Sequence, residues 1–331
     1  MTIIYLSFLF FSTAFASFVA TRLLLSVLIR YSIFDKPNER SSHTKPTPRG
    51  GGLAVILVSL GAWGFSLSEI FIVHLILFIT TLSLGIISWI DDIRNLPASV
   101  RLISQFLAVG LVFLLMPTSS LYFHGFLPYW LDTFIAVFVW VWFINLFNFM
   151  DGIDGISAIE ASSIGLGIFI LMTLGAIDLT HGLLGLVIGA SSIGFIWWNW
   201  QPARVFLGDV GSVPLGFLLG WLLLQILSTP HWPIAVILPL YYIADASITL
   251  GRRIWRSERV WRAHREHFYQ QATARGLSHA RVSLLICGTN TLLIGLSIFS
   301  MVQPLSALVC AFILVGGLLV ILSGSKNGGI S

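Results

Sequence analysis

Apolar residues run through this chain in blocks of about twenty, broken by short polar stretches. A helix rises ~1.5 Å per residue, so a block of about that length crosses a ~30 Å hydrocarbon core. The pattern predicts eleven spans, at about 3–29, 51–68, 70–89, 99–117, 131–149, 157–177, 182–198, 212–228, 233–250, 281–301 and 305–323. The expected fold class is therefore an all-α, polytopic integral membrane protein in one transmembrane domain over 1–331. The first block lacks a basic leader and exceeds the apolar core of a signal peptide, which makes it a retained span.

Charge then orients the spans. With the N-terminus outside and the C-terminus cytoplasmic, the internal loops are about 30–50, 90–98, 150–156, 199–211 and 252–280. Every one of the 18 Lys and Arg residues except Arg22 falls in or beside these or in the C-terminal tail, as the positive-inside rule requires. The external loops carry only Glu69, Asp132 and Asp178 as charges and offer no ligand constellation. Composition agrees: 56% of the 331 residues are hydrophobic and 10% are charged, against roughly 25% charged in a soluble protein. The net charge of +4 follows from the loop bias and gives no reason to invoke nucleic acid. Cys287 and Cys310 both lie in apolar runs, so neither a disulfide framework nor a cysteine metal site is expected.

The internal loops hold the candidate chemistry. Asn145-Leu-Phe-Asn148-Phe-Met-Asp151-Gly-Ile-Asp154-Gly155 places four polar side chains where a membrane helix should end. Such groups beside lipid are costly unless they face protein, water or a ligand. Steps of three residues rotate 300° on a helix, so these four spread over about half its surface. The Asp-Gly pairs suggest a helix loosening near 151, which would bring the carboxylates toward one pocket. In the second internal turn, Asp91 and Asp92 stand beside Arg94. One Asp is enough for a cap, whereas a pair of hard oxygen ligands suits a divalent cation or a cation-bound phosphate.

The first internal loop reads as a flexible cationic strip, with Lys36, Arg40, His43, Lys45 and Arg49 leading into Gly50-Gly51-Gly52. It suits either anionic lipid head groups or backbone N–H contacts to a phosphate. In the fourth loop, Arg204 precedes Gly208-Asp209-Val-Gly211-Ser212, which opens the eighth span. An Asp at the positive end of a helix is accounted for by capping, or by a Mg²⁺ held through one or two carboxylates and substrate phosphates. The fifth loop, with seven arginines, Trp255, Trp261, His264, His267 and Tyr269, is either an amphipathic membrane-surface segment or a grip on a diphosphate. Asp245, about two turns before Arg252, could pair with one of the arginines that follow.

Taken together, His43 with Pro48-Arg49 and its glycines, Asp91-Asp92, the Asn145–Gly155 element and Phe206–Ser212 resemble, in order, the polyprenyl-phosphate N-acetylhexosamine-1-phosphate transferase family. The resemblance covers nearly the whole chain. It implies a catalytic domain that transfers a sugar-1-phosphate from a UDP-N-acetylhexosamine to undecaprenyl phosphate, with Mg²⁺ (or Mn²⁺) and release of UMP. It implies Asp209, Asp91 and Asp92 as catalytic and metal residues. Lys45, Arg49, Asn145, Asn148, Asp151, Asp154, Arg204, Gly208, Gly211, Ser212, His264 and His267 are the expected substrate-binding residues. The family's His-x-His-His element reads His267-Phe-Tyr269-Gln270 here, so the roles of its second and third histidines do not carry over. That departure points away from the phospho-MurNAc-pentapeptide translocase, which stays as the alternative. It points toward the branch that initiates O-antigen or lipopolysaccharide synthesis, with donors such as UDP-FucNAc, UDP-QuiNAc or UDP-GlcNAc. The expected location is the bacterial inner membrane, multi-pass, with the site facing the cytoplasm. A homodimer is one open oligomeric state.

A phosphate monoester has its second pKa near ~6 and needs little general-base help, so direct in-line attack is the expected route. A covalent intermediate on Asp91 or Asp92 is its rival. A cation- or proton-coupled transporter predicts acids near the midplane and related halves, and the chain shows no internal repeat.

Overall fold

The computed structural model describes residues 2–35, 37, 45–67, 69, 71–94, 96–115, 121–258 and 264–324. In chain order these form α1 (Ile3–Arg30), a hairpin of β1 (Phe34–Asp35) and β2 (Thr47–Pro48), α2 (Gly52–Ser66), α3 (Ile72–Arg94), α4 (Ala98–Leu115) and α5 (Tyr129–Phe149). There follow α6 (Ile156–Thr173), α7 (Leu179–Asn199), α8 (Asp209–Leu227), α9 (Pro233–Ile237), α10 (Leu240–Trp255), α11 (Phe268–Ala274), α12 (His279–Ser300) and α13 (Pro304–Ser323). The fold is an all-α polytopic membrane protein, and among the described residues nine helices are long and apolar enough to cross a bilayer.

Two of the eleven expected spans fall short, for different reasons. The 15 residues of α2 reach only about 22 Å at ~1.5 Å each. The expected span at 233–250 is broken into α9 and α10 around Leu238-Pro239. Proline donates no backbone hydrogen bond, and its ring crowds the carbonyl one turn earlier.

The centre of the bundle is α8, which is apolar around its whole circumference and almost entirely buried. It packs against α2, α3, α5 and α9. Trp140 of α5 stacks on Phe217 with centroids 4.8 Å apart, and its Nε1 donates to the Phe217 carbonyl at 2.9 Å. Elsewhere small residues let backbones approach, as expected where lipid supplies no hydrophobic drive between helices. A Cβ on Gly165 of α6 would lie 2.5 Å from the Gly185 carbonyl of α7. Ser17 of α1 donates to the Ser191 carbonyl at 2.7 Å, and Ser59 of α2 meets the Ser191 hydroxyl at 2.5 Å. The polar connections after α1, α3, α5, α7 and α10 then meet one another at one end of this bundle through the bonds described next.

Candidate active site

The N-terminus of α8 is built by three other segments. Gly208, at φ +75°, turns the chain so that Asp209 begins the helix with free backbone N–H groups. Asp92 of α3 caps that end from outside, accepting from the backbone N–H groups of Asp209 and Val210 at 3.1 Å each. The first loop is also fastened there. Phe206 N–H donates to the Pro48 carbonyl at 2.8 Å, and Gly51 and Gly52 N–H donate to the carbonyls of Phe206 and Leu207 at 2.8 Å each. A Cβ on Gly52 would overlap Gly211 Cα, and backbone cannot move aside as a side chain can. Gly52→Ala is therefore expected to lift the first loop off α8, lowering both turnover and thermal stability. Unaltered melting and activity in the purified variant would refute that.

These contacts gather three carboxylates and two guanidiniums. Arg49 Nη2 lies 2.7 Å from both Asp92 Oδ1 and Asp209 Oδ1. Arg101 Nη1, from the first turn of α4, lies 3.2 Å from Asp91 Oδ2 and 3.7 Å from Asp209 Oδ2. Burial opposes the Arg49 charge, but Asp209 and Asp92 outweigh it and hold the guanidinium above its ordinary pKa. The three acids are not equivalent. The Asp92 side chain is 2% exposed, and both its oxygens already accept from α8. Asp91 is anchored by the Leu96 N–H at 2.6 Å. Asp209 is the most open of the three, with 16% of its side chain exposed and its oxygens facing Arg49, Arg101 and the Asp91 carboxyl. Among the described residues no three His, Cys, Asp or Glu side chains form a ready ligand cage. That donor chemistry fits a Mg²⁺ bound through one or two carboxylates with phosphates completing its shell: Asp209 would hold it, Asp91 stands alongside, and Asp92 orients the helix that carries Asp209.

The Asn145–Gly155 stretch divides between this cluster and its supports. Asn148 donates to the Ser212 hydroxyl at 2.8 Å, tying α5 to the first turn of α8. Asp151 is half-buried just past the end of α5 and feels the charges of both Asp209 and Arg49. Burial pushes its carboxyl up to about 7. In the metal-free protein its carboxyl should therefore be protonated below that pH and lose its proton above it. Because the folded value exceeds the ordinary 3.8, the stability it lends is complete below 3.8 and is lost as pH rises through about 7. A protonated-carboxyl infrared band that fades between pH 6 and 8, and is missing in Asp151→Asn, is the expected signature; the same band in the variant would remove the assignment.

Several expected site residues lie elsewhere. Asn145 points to α4, donating to Gln105 Oε1 at 2.5 Å, and pins α4 to α5. Asp154 faces the other way, accepting from the Ala203 N–H at 3.1 Å and lying 3.3 Å from His279 Nδ1. Gly208 and Gly211 serve geometry, and Ser212 links α5 to α8. Lys45 is exposed, and Arg204 lies over the Trp198 ring, outside the acid cluster. Burial first, then His267 and Arg253, lower the His264 pKa to about 4, so His264 is neutral near pH 7 and holds no anion by charge. Lys36, Arg40, His43, Trp261 and Arg262 lie outside the described residues. The described part of the first loop is no free strip, because its backbone is bonded to the 206–207 segment.

Asp245 proves to be the anchor of the fifth loop. Completely buried, it accepts from His267 Nδ1 and Phe268 N–H at 3.0 Å each, from Tyr241 Oη at 3.1 Å and from Tyr269 N–H at 3.3 Å. The His267 ring is thereby held with Nδ1 toward Asp245. Tyr269 donates to the Phe149 carbonyl at 3.2 Å and packs on Gly152, which brings the fifth loop onto the opening stretch. Arg253, Arg256, Glu258 and Glu266 form a separate ion-pair group. Arg101 and His279 belong to none of the sequence motifs. The one signal for Arg101 was a charge in the first turn of an otherwise apolar helix.

Acids and arginines thus converge on a glycine-bounded helix start, and comparison with known proteins shows the family. Residues 74–227, which run from α3 to the end of α8, match glycosyl transferase family 4. The chain is 28% identical over 285 residues, covering 81% of it and 77% of the relative, to a probable undecaprenyl-phosphate N-acetylglucosaminyl 1-phosphate transferase of Bacillus subtilis (strain 168). Phospho-N-acetylmuramoyl-pentapeptide-transferases match too. The one from Wolbachia sp. subsp. Brugia malayi (strain TRS) is 31% identical, covering 62% of this chain and 67% of the relative. That of Streptococcus mutans serotype c is 28% identical, covering 71% and 77%. The chain belongs to glycosyl transferase family 4, the polyprenyl-phosphate N-acetylhexosamine-1-phosphate transferases.

Proposed function

We propose that this protein transfers N-acetylhexosamine-1-phosphate from a UDP-sugar to undecaprenyl phosphate at the cytoplasmic face of the bacterial inner membrane. The observation that carries the proposal is the arrangement at α8. An open Asp209 is set by a capping Asp92 and flanked by Arg49 and Arg101, so hard oxygens and cations sit side by side. Mg²⁺ held at Asp209 would supply charge neutralisation for a diphosphate. The relatives' names support the same chemistry, since they act with undecaprenyl phosphate or on a phospho-N-acetylmuramoyl-pentapeptide.

A lipid phosphate oxygen attacks the β-phosphorus of the UDP-sugar, forming a new P–O bond. The bond from the β-phosphorus to the bridging oxygen breaks, and that oxygen leaves on the α-phosphate of UMP. The acceptor phosphate is mostly dianionic at pH 7, which removes the need for a strong base. What the chain must do is align the two phosphates and offset their repulsion, and Arg49 and Arg101 do that by turning from the acids toward phosphate oxygens. Asp151, on the side of the fifth loop, lines the approach of the nucleotide-sugar.

The expected product starts an O-antigen or lipopolysaccharide glycan, with a 6-deoxy-N-acetylhexosamine or GlcNAc as the sugar. The departure from the histidine element supports this over the peptidoglycan reaction. Purified protein with undecaprenyl phosphate, Mg²⁺ and a panel of UDP-FucNAc, UDP-QuiNAc, UDP-GlcNAc and UDP-MurNAc-pentapeptide should release UMP with one of the first three. Release with the last alone would move the chain to the peptidoglycan branch, and no release with any would defeat the proposal.

A further inference from the structure

Arg22 is the one basic residue outside the pattern of the internal loops. It lies in α1, about 12 Å before Arg30 at ~1.5 Å per residue, on an exposed face of a membrane helix. A lone guanidinium facing lipid is costly and marks a site by default. Its Cζ is 5.6 Å from the centroid of the Trp198 ring, and Arg204 Cζ, from the connection after α7, is 5.6 Å from the same ring. Trp198 is a fixed platform: it is 5% exposed, and its Nε1 donates to the Phe18 carbonyl at 3.0 Å. Both guanidiniums stay exposed, and among the described residues neither pairs with a carboxylate. A ring face attracts a cation without neutralising it, so two positive charges remain uncompensated within roughly 11 Å of each other.

We propose that Arg22 and Arg204, stacked on Trp198, bind the phosphate of an anionic phospholipid in the leaflet on the side of the basic loops. Guanidinium forks suit phosphate oxygens, and two of them from different elements clasp one head group. Val19, Leu23 and Trp197 are exposed around the pair and provide an apolar surface for acyl chains. Trp197 and Trp198 mark head-group depth, where indoles concentrate. A phospholipid fits this wall better than a free anion because α1 continues apolar on both sides of Arg22. The acid cluster is a different place, formed by α3, α4, α8 and the first loop. The two share only the connection from Asn199 to Gly208, through which a bound lipid would steady the approach to Asp209.

The test is native mass spectrometry of the full chain released from nanodiscs of phosphatidylglycerol and phosphatidylcholine. The wild type should retain phosphatidylglycerol, and Arg22→Gln and Arg204→Gln should each lower the retained fraction about tenfold, as loss of one charge-assisted hydrogen bond would. Arg281→Gln, an exposed charge loss in α12, should retain it as the wild type does. Equal loss in Arg281→Gln, displacement by millimolar inorganic phosphate, preferential replacement by polyprenyl phosphate, or no retention by the wild type would each overturn the proposal. Melting curves of the detergent-solubilised variants separate misfolding from lost binding. If a variant unfolds early, Arg22→Lys and Arg204→Lys, which keep charge but lose the fork, replace it and should show intermediate retention.

Discussion

Asp209→Asn is expected to lower UMP release by at least about a thousandfold while leaving the protein folded, an effect in the range of losing a group that stabilises charge in the transition state. The carboxamide keeps the size but removes the charge that Arg49 and Arg101 share, and it presents one neutral oxygen where a divalent cation would bind. Folding should survive because the helix start does not depend on this side chain. The backbone N–H of residue 209 is bonded to Asp92, and that bond is untouched. The measurement is turnover across a Mg²⁺ titration beside a melting curve. Activity equal to that of the wild type at any Mg²⁺ concentration would remove Asp209 from the chemistry.

The second large effect belongs to a residue that touches no substrate. Asp245→Ala should strip the acceptor from His267, Phe268, Tyr241 and Tyr269 at once, with Thr249 3.4 Å away as a fifth donor. Each buried donor left unmade costs about 1–3 kcal/mol, and the losses are not additive within one network. A total near 3–5 kcal/mol is expected, enough to free α11 and the Tyr269 contact with Phe149 from the bundle. Cleavage by trypsin after Arg265 or Arg275 should accelerate, and turnover should fall because the fifth loop no longer covers Asp151. Asp245→Asn, which keeps one acceptor oxygen, should fall between the two. Protease resistance and turnover like the wild type's in Asp245→Ala would show that this loop holds its place by other means.

Most of the transmembrane pattern was legible along the chain because a span is a local property: about twenty apolar residues in a row must be helical in lipid, whatever surrounds them. The two exceptions mark where local reading stops. At 233–250 the apolar block is continuous, yet Pro239 breaks it, and α10 then continues to Trp255 because its arginines find Glu258 and Glu266. The acid motifs were legible for a similar reason, since carboxylates are rare in such a chain and their presence alone is informative.

The division of labour among those acids was hidden. Asp91, Asp92, Asp151, Asp154 and Asp209 all look alike in sequence, one acidic group each at a helix end. Their roles depend on which backbone N–H groups and cations arrive from other segments, some of them more than a hundred residues away. Asp92 meets the first turn of α8 and becomes a cap, Asp154 meets Ala203 and His279 and becomes a fastening, and Asp209 is left open between Arg49 and Arg101. Arg204 was grouped with phosphate ligands for its place beside Gly208-Asp209, but the packing of α1 against α7 carries it to Trp198 and Arg22. Hydrophobic periodicity and residue rarity therefore settled the membrane architecture and the stock of reactive groups. Which carboxylate is satisfied and which remains free is a matter of hydrogen-bond partners, and only the folded chain brings those together.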